Sequence, residues 1–247
     1  MRSSAVALVL LACTATGCAG TGTAADPRTA GQLLDSAVRT MKALRSVTIT
    51  TQTAALQGGT LFSSRMTTDL KSGCAYRATF RNGAELQQLR IGGTDYIHGN
   101  DGYFELWGRD TVPAMRQKPW LKSPVSAARD ADGLQPCTWP FKSFGTPTKG
   151  ARTELDGRPV IPVEVRDKPG ESPFAREPGT YTFYIAAEGT PYLLKLGHQG
   201  PHNRTTTTFT DFDKPLALHI PPPPNTLDLS KVRSRRSCQG PYAPVNR

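Results

Sequence analysis

The sequence predicts an α+β fold in which a single antiparallel sheet carries helices on one face. Three observations predict this class. An amphipathic helix comes first, about eleven strand-like runs with a period of two follow in two sets, and a stretch with short helical pieces separates the sets. No repeat of fixed period and no clear linker divides the chain. One sheet with one layer of helices is therefore the simplest arrangement that covers an apolar sheet face.

The first predicted element is a helix that begins after Thr29. Thr29 and Gln32 have the spacing of a capping box, in which each side chain accepts a hydrogen bond from the other residue's backbone N–H. Apolar residues then recur at helical spacing on one face: Leu33, Leu34, Ala37, Val38, Met41 and Leu44. Basic residues occupy the other side. This helix has one face to bury.

Strands are predicted on both sides of a central helical stretch. The first set comprises the runs 47–53, 60–70, 74–80, 87–91 and 94–98. Asn82-Gly83 separates two of these runs and is a strong hairpin signal. The second set comprises 152–155, 160–166, 180–186, 191–198, 203–212 and 215–220, before prolines 221–224 end the sheet. Between the sets lies 103–146, which holds Trp107, Trp120 and Trp139 and is predicted to form helical pieces near 111–117, 124–131 and 138–144.

The N-terminal residues have the features of an export signal. Arg2 is the only charged residue before Asp26, and an apolar run from Ala5 to Ala12 follows it. That run is shorter than the roughly 20 residues that span a bilayer. A positive start, a short apolar core and a small-residue exit are typical of a signal peptide, here predicted to cover 1–17.

A cysteine directly after the small residues indicates a lipoprotein signal. We interpret Cys18 as the lipidated residue, which leaves 18–28 as a tether ahead of the domain. Cys13 follows Leu10-Leu11-Ala12, a more usual box, but it would leave a very short leader. Stable attachment requires two or three acyl chains, since one chain binds only marginally. The predicted location is the extracytoplasmic face of the cell membrane.

Three further cysteines belong to the exported part of the chain. Disulfides persist outside the cytoplasm, so one bridge and one odd thiol are expected among Cys74, Cys137 and Cys238. Cys74 begins a strand-like run, and Cys137 lies at a predicted helix start. Because two cysteines on ordered elements can be held at bonding distance, we predict a Cys74–Cys137 disulfide, with Cys137–Cys238 as the alternative.

The chain is basic, with a formal net charge of +10, and the C-terminal residues 225–247 are strongly basic. Such a tail could bind anionic lipid, anionic envelope polymers or other envelope proteins. A solvated tail without a partner fits the same composition. Nucleic acid is not an expected partner, because an exported domain does not meet the chromosome and no nucleic-acid-binding signature is present.

The sequence offers no catalytic or cofactor motif. It contains no nucleophile elbow, phosphate loop, dinucleotide fingerprint or zinc-protease helix. His198 and His202 have a spacing that suits a metal on a helix, but Gly197, Gly200 and Pro201 oppose a helix there. We therefore predict no enzyme activity, no cofactor and no metal site.

The order of elements resembles the LolA/LolB-like carriers and the LppX/LprG-like envelope lipoproteins over roughly residues 30–222. The stretches that carry the resemblance are 33–47, 92–97, 101–107, 188–196 and 209–215. It implies a strongly curved, unclosed β-barrel over 29–224, with helices lidding the concave side above an apolar cavity. It also implies that the domain binds or carries a lipid or acyl chain.

Alternation along the strands selects residues for that cavity, because each lies on the more apolar face of its strand. The predicted lining residues are Phe62, Tyr76, Phe80, Phe183 and Leu194. Apolar residues on both faces of 181–186 also fit a solid core without a cavity. The alternative function is thus an envelope scaffold that binds other proteins and no small molecule.

Overall fold

The computed structural model describes residues 26–57, 59–106, 113–127, 133–167 and 178–231. Within these ranges the fold is α+β, with a helix followed by one unclosed, mostly antiparallel sheet. The predicted fold class is confirmed, with 13 strands rather than about eleven. The predicted signal peptide, Cys18, Trp107, Cys238 and the tail beyond residue 231 lie outside the described residues, so the predictions about them stay predictions.

The first helix, α1, spans Ala30–Lys42 and begins with the predicted capping box. The Gln32 backbone N–H donates to Thr29 Oγ1 at 3.2 Å, and the Thr29 N–H donates to Gln32 Oε1 at 2.9 Å. Its apolar face buries Leu33, Leu34, Ala37 and Met41. That face packs against β7, β9, β10 and β11, which are defined below, so α1 covers one half of the sheet.

The sheet comprises two meanders that meet in the middle. The strands are β1 (Val47–Ala55), β2 (Thr60–Thr68), β3 (Cys74–Phe80), β4 (Glu85–Ile91), β5 (Thr94–Gly99), β6 (Trp120–Pro124), β7 (Pro147–Lys149), β8 (Thr153–Leu155), β9 (Arg158–Arg166), β10 (Thr180–Ala186), β11 (Leu193–Gln199), β12 (Asn203–Thr210) and β13 (Thr226–Asp228). Their order is β13-β6-β5-β4-β3-β2-β1-β12-β11-β10-β9-β7, and β8 also pairs with β9. The antiparallel β1–β12 pair joins the two meanders.

Strand register places one set of side chains on a common face. Ile49 lies opposite both Met66 and Phe209, Met66 lies opposite Tyr76, and Phe183 lies opposite Leu196. We call this the inner face. It holds the main core, in which Ile49, Phe183 and Phe209 are at most 2% exposed. Two short helices, α2 (Asp101–Leu106) and α3 (Pro113–Gln117), follow β5, and α2 contacts β4 and β5.

The predicted helix at 138–144 is wrong, because these residues are irregular in the structure. Cys137, Trp139 and Phe141 face the core at a spacing of two, while Pro136, Thr138 and Pro140 are exposed. Pro140 cannot donate a helical hydrogen bond, and it disfavours helical backbone at the residue before it. The other predicted pieces are partly present, as α3 and as a single 3₁₀ turn at Val125–Ala127.

The predicted strand at 215–220 is also wrong, and the sheet instead continues beyond the prolines. The chain leaves β12 through Asp211 and Asp213, both at positive φ, and crosses the start of β1, where the Asp213 N–H donates to the Ser46 carbonyl at 2.9 Å. Since β1 already pairs with β2 on one side and β12 on the other, residues 215–220 have no free strand edge there with which to pair. β13 then pairs in parallel with β6, past residue 224, where the domain was predicted to end.

Candidate ligand-binding site

A pocket of about 310 Å³ lies on the inner face over β1, β2 and β3. This half of the sheet is away from the strands that α1 covers. Its lining residues are Ile49, Thr51, Phe62, Ser64, Met66, Tyr76, Gln135, Pro136, Thr138, Trp139 and Pro140. Ligand pockets in proteins typically measure about 300–1,000 Å³ and combine an apolar surface with a few polar groups. This pocket has that character at the small end of the range.

Among the described residues, apolar, hydroxyl and amide side chains line the pocket, and none of them is charged at neutral pH. Tyr76 is only 4% exposed. Burial raises the pKa of its phenol to about 12, against a smaller lowering effect from the hydrogen bond with Ser64. The phenol therefore stays neutral, and it joins the hydroxyls of Thr51 and Ser64 on the strand surface of the pocket.

Threonine pairs extend the hydroxyl character along the inner face beside the pocket. Thr51 Oγ1 lies 3.2 Å from Thr207 Oγ1, and Thr53 Oγ1 lies 3.0 Å from Thr205 Oγ1 across the β1–β12 pair. Each hydroxyl has a partner, so these polar groups are accommodated at little cost. A hydroxyl can exchange such a partner for a ligand oxygen, because it both donates and accepts.

Residues 133–144 form one side of the pocket, and we call them the pocket wall. Trp139 and Phe141 each lie 5.7 Å from the Phe209 ring, and Phe144 lies 5.1 Å from Tyr181. These ring contacts hold the second half of the wall against β12 and β10. The wall thus covers this part of the inner face, where helices were expected.

A disulfide fixes the first half of the wall. Cys74 on β3 is bonded to Cys137, with 5.3 Å between their Cα atoms, so the predicted bridge is present in the structure. The Thr68 hydroxyl donates to the Cys137 carbonyl. Gln135 adds a backbone connection, because its N–H donates to Gln88 Oε1 at 2.9 Å. The wall is therefore attached covalently and by hydrogen bonds to three neighbouring strands.

Gln88 belongs to a buried polar network on β4 and β5. Arg90 donates twice to Asp95, from Nε to Oδ1 and from an Nη to Oδ2, each at 2.8 Å. Gln88 Nε2 donates to the same Asp95 carboxylate at 3.0 Å and to the Gln135 carbonyl at 3.2 Å. Asp95 and Gln88 are fully buried. Such a network is favourable only when every member keeps its partner.

The structure brings part of the predicted lining set together. Phe62 and Tyr76 line the pocket, and Phe80 packs against Phe62 with 5.4 Å between ring centroids. Phe183 lies instead in the packed core beside Phe144. Leu194 lies at the β10–β11 register shift and lines a separate depression with Arg158, Glu188 and Tyr192. Alternation identifies the apolar face of a strand but cannot show which strands the helix and the wall cover.

Sequence reasoning missed the wall residues and four positions on the sheet, which are Ile49, Thr51, Ser64 and Met66. Ile49 and Met66 alternate correctly within their strands, so pairing β1 with β2 in the observed register would have found them. The signal for the wall was the spacing of two in Cys137, Trp139 and Phe141. Trp139 belongs to the run 138–144, for which the sequence predicts a helix.

Two further features can be compared with the structure, namely the histidines considered as metal ligands and the helices as membrane spans. His198 lies on β11 against the Tyr181 ring, at 4.4 Å, and His202 lies in the turn after that strand. Over the described ranges, no group of three or more His, Cys, Asp or Glu residues could hold a metal ion. None of the helices described is both long and apolar enough to cross a membrane.

Comparison with known proteins identifies the fold. No protein-family model and no curated protein sequence matches the chain. The lipoprotein LppX of Mycobacterium tuberculosis is 13% identical with a TM-score of 0.50, over 79% of this chain and 100% of LppX. LprF from Mycobacterium bovis is 15% identical with a TM-score of 0.53, over 78% of this chain and 96% of LprF. The predicted resemblance is therefore confirmed at the level of the fold.

Proposed function

We propose that this chain is a cell-envelope lipoprotein, anchored at Cys18 on the extracytoplasmic face of the membrane, that binds a lipophilic ligand in the inner-face pocket. The observation that supports ligand binding is the pocket of about 310 Å³ beneath the wall, whose described lining residues are uncharged and largely apolar. The LppX-like fold supports the location, as does the sequence of the leader. Binding or carriage is proposed rather than catalysis, since no carboxylate, imidazole, amine or thiol from the described part of the chain lines this pocket.

The energetics of transfer favour loose selection of the apolar part of the ligand. An acyl chain that moves from a bilayer into the pocket exchanges one apolar environment for another, so the usual gain of about 25 cal/mol per Å² largely cancels. Affinity then depends on packing against Phe62, Met66 and Trp139 and on hydrogen bonds to the hydroxyls of Ser64 and Tyr76. The polar part of the ligand is therefore expected to be selected more tightly than the chain.

Replacing Cys18 with alanine is expected to abolish membrane attachment, because the thiol that accepts the diacylglycerol is lost. The measurement is the distribution of the protein between membrane and medium, together with its processing state. Cys13→Ala is the matched control, since it alters a cysteine five positions earlier. Loss of attachment in Cys13→Ala but not in Cys18→Ala would show that the anchor is Cys13.

Two neighbouring serines on β2 provide a matched test of the pocket. Ser64 lies in the pocket, whereas Ser63 pairs with Thr79 on the opposite face of the sheet. Ser64→Phe places a phenyl ring inside the pocket and is expected to reduce bound lipid about tenfold, since an overfilled site cannot close around a ligand. Ser63→Phe is expected to bind as the unmodified chain does. The measurement is the lipid:protein ratio by native mass spectrometry of the chain from Ala19, with thermal unfolding as the folding control. Equal lipid content in the two variants would place the ligand elsewhere.

A further inference from the structure

A second pocket, of about 470 Å³, lies at the edge of the sheet formed by β6 and β13. We call it the edge pocket. Tyr96 and Lys122, which line it, are opposite each other in the β5–β6 register. Their chain neighbours Ile97 and Leu121 belong to the core on the inner face. The edge pocket therefore includes outer-face positions of β5 and β6 at the edge of the sheet, and it shares no lining residue with the pocket under the wall.

Three lysines make the edge pocket positive. Of the residues that the structure describes, Lys118, Lys122 and Lys231 line it together with one acidic residue, Asp228. Lys122 Nζ lies 3.9 Å from Asp228 Oδ2, whereas neither Lys118 nor Lys231 forms a salt bridge within the described part of the chain. The hydrogen bond from the Ser230 hydroxyl lowers the pKa of Asp228 against a smaller opposing effect of burial, and the Ser230 backbone N–H and the charges of Lys122 and Lys231 lower it further. With Asp228 ionised, two positive charges remain in excess.

The edge pocket also has an apolar surface next to the lysines. Ile220 is 59% exposed at its margin, and Leu227, Pro221 and Pro223 line it further. An exposed isoleucine gains nothing from a small soluble anion. It does gain from entering the boundary between head groups and acyl chains, where basic residues meet phosphates.

We infer that the edge pocket binds the phosphate of an anionic phospholipid at a bilayer surface. The three lysines surround the phosphate, and Ile220 enters the interface beside it. This contact orients the folded domain on the membrane, and it involves neither the lipid anchor nor the inner-face pocket. It also places the membrane contact on the folded sheet edge, in addition to any contact that the basic tail makes.

The test uses the chain from Ala19 to Arg247, which lacks the anchor and retains every described element of the fold. Partitioning is measured by co-sedimentation with vesicles of phosphatidylcholine, with and without phosphatidylglycerol. The edge variant carries Lys118→Gln, Lys122→Gln and Lys231→Gln. The control carries Lys42→Gln, Lys71→Gln and Lys142→Gln, which removes the same charge from exposed positions elsewhere.

The edge variant is expected to bind anionic vesicles at least about tenfold more weakly than the unmodified chain, and the control within about threefold of it. Arginine at the same three positions should retain binding, and Ile220→Ser should weaken it without changing net charge. Equal losses in the edge variant and the control would show that only net charge matters and would overturn the inference. So would saturable binding of glycerol 3-phosphate at the edge pocket without any preference for anionic vesicles, since the ligand would then be a soluble phosphate.

Discussion

Replacing both Cys74 and Cys137 with alanine is expected to lower the free energy of unfolding by about 4 kcal/mol, because the disulfide no longer restricts the unfolded chain. The two cysteines are 63 residues apart, so the bridge closes a long loop. Both cysteines are buried, which adds a small packing loss. The same change removes the covalent attachment of the first half of the pocket wall and leaves only its hydrogen bonds. The amount of bound lipid is therefore expected to fall as well.

Urea unfolding of the unmodified and the double-alanine chains, each with and without reductant, measures this effect. Reductant should destabilise the unmodified chain and leave the double variant unchanged. Cys238→Ala is the control, because it removes a cysteine outside the bridge. If Cys238→Ala destabilised the chain as much as the double variant does, the alternative Cys137–Cys238 pairing would explain the result better.

Replacing Arg90 with methionine is expected to lower the free energy of unfolding by about 3–5 kcal/mol, because a buried carboxylate loses its counter-ion. The Asp95 side chain is 1% exposed and that of Arg90 is 13% exposed, so water cannot take over the role of the guanidinium. Gln88 alone then remains as a donor to Asp95 among the contacts described above. Thermal and urea unfolding measure the loss.

The double variant Arg90→Met with Asp95→Leu separates the effect of an unpaired charge on stability from the effect of lost packing. Removing both charges leaves no unpaired ion, and Gln88 can still contact Gln135 through the backbone atoms of the wall. Stability is therefore expected to return to within about 1–2 kcal/mol of the unmodified chain. A double variant as unstable as Arg90→Met would show that packing, and not an unpaired carboxylate, causes the loss.

Local signals in the sequence predicted the elements whose structure depends on neighbouring residues. The capping box at Thr29 and Gln32 starts α1, and Asn82-Gly83 makes the β3–β4 turn with Gly83 at a φ of +78°. Alternation predicted most strands of both meanders, although β6 and β7 were not among the predicted strands. The predicted export, together with the ordered positions of two cysteines, predicted the disulfide. For the helix start, the turn and the alternating strands, residues within a few positions of one another contain the necessary information.

Contacts between distant segments were harder to predict. The pocket wall has no regular secondary structure, so its position depends on β3, β4 and β12 and not on local propensity. β13 is a three-residue strand that forms only because β6 offers a free edge. The alternation around Phe183 resembles that around Tyr76 and predicts a position in the cavity. Only the observed packing of Phe144 shows that this part of the face is filled.

The central claim is that the inner-face pocket holds a lipophilic ligand, and native mass spectrometry of the chain from Ala19, purified from its own host, tests it most directly. The expected result is a mass adduct that organic extraction removes and identifies as lipid, present in the unmodified chain and in Ser63→Phe and strongly reduced in Ser64→Phe. Bare protein from the host, with Ser64→Phe as stable as the unmodified chain, would contradict the claim. That result would favour a scaffold that binds other envelope proteins.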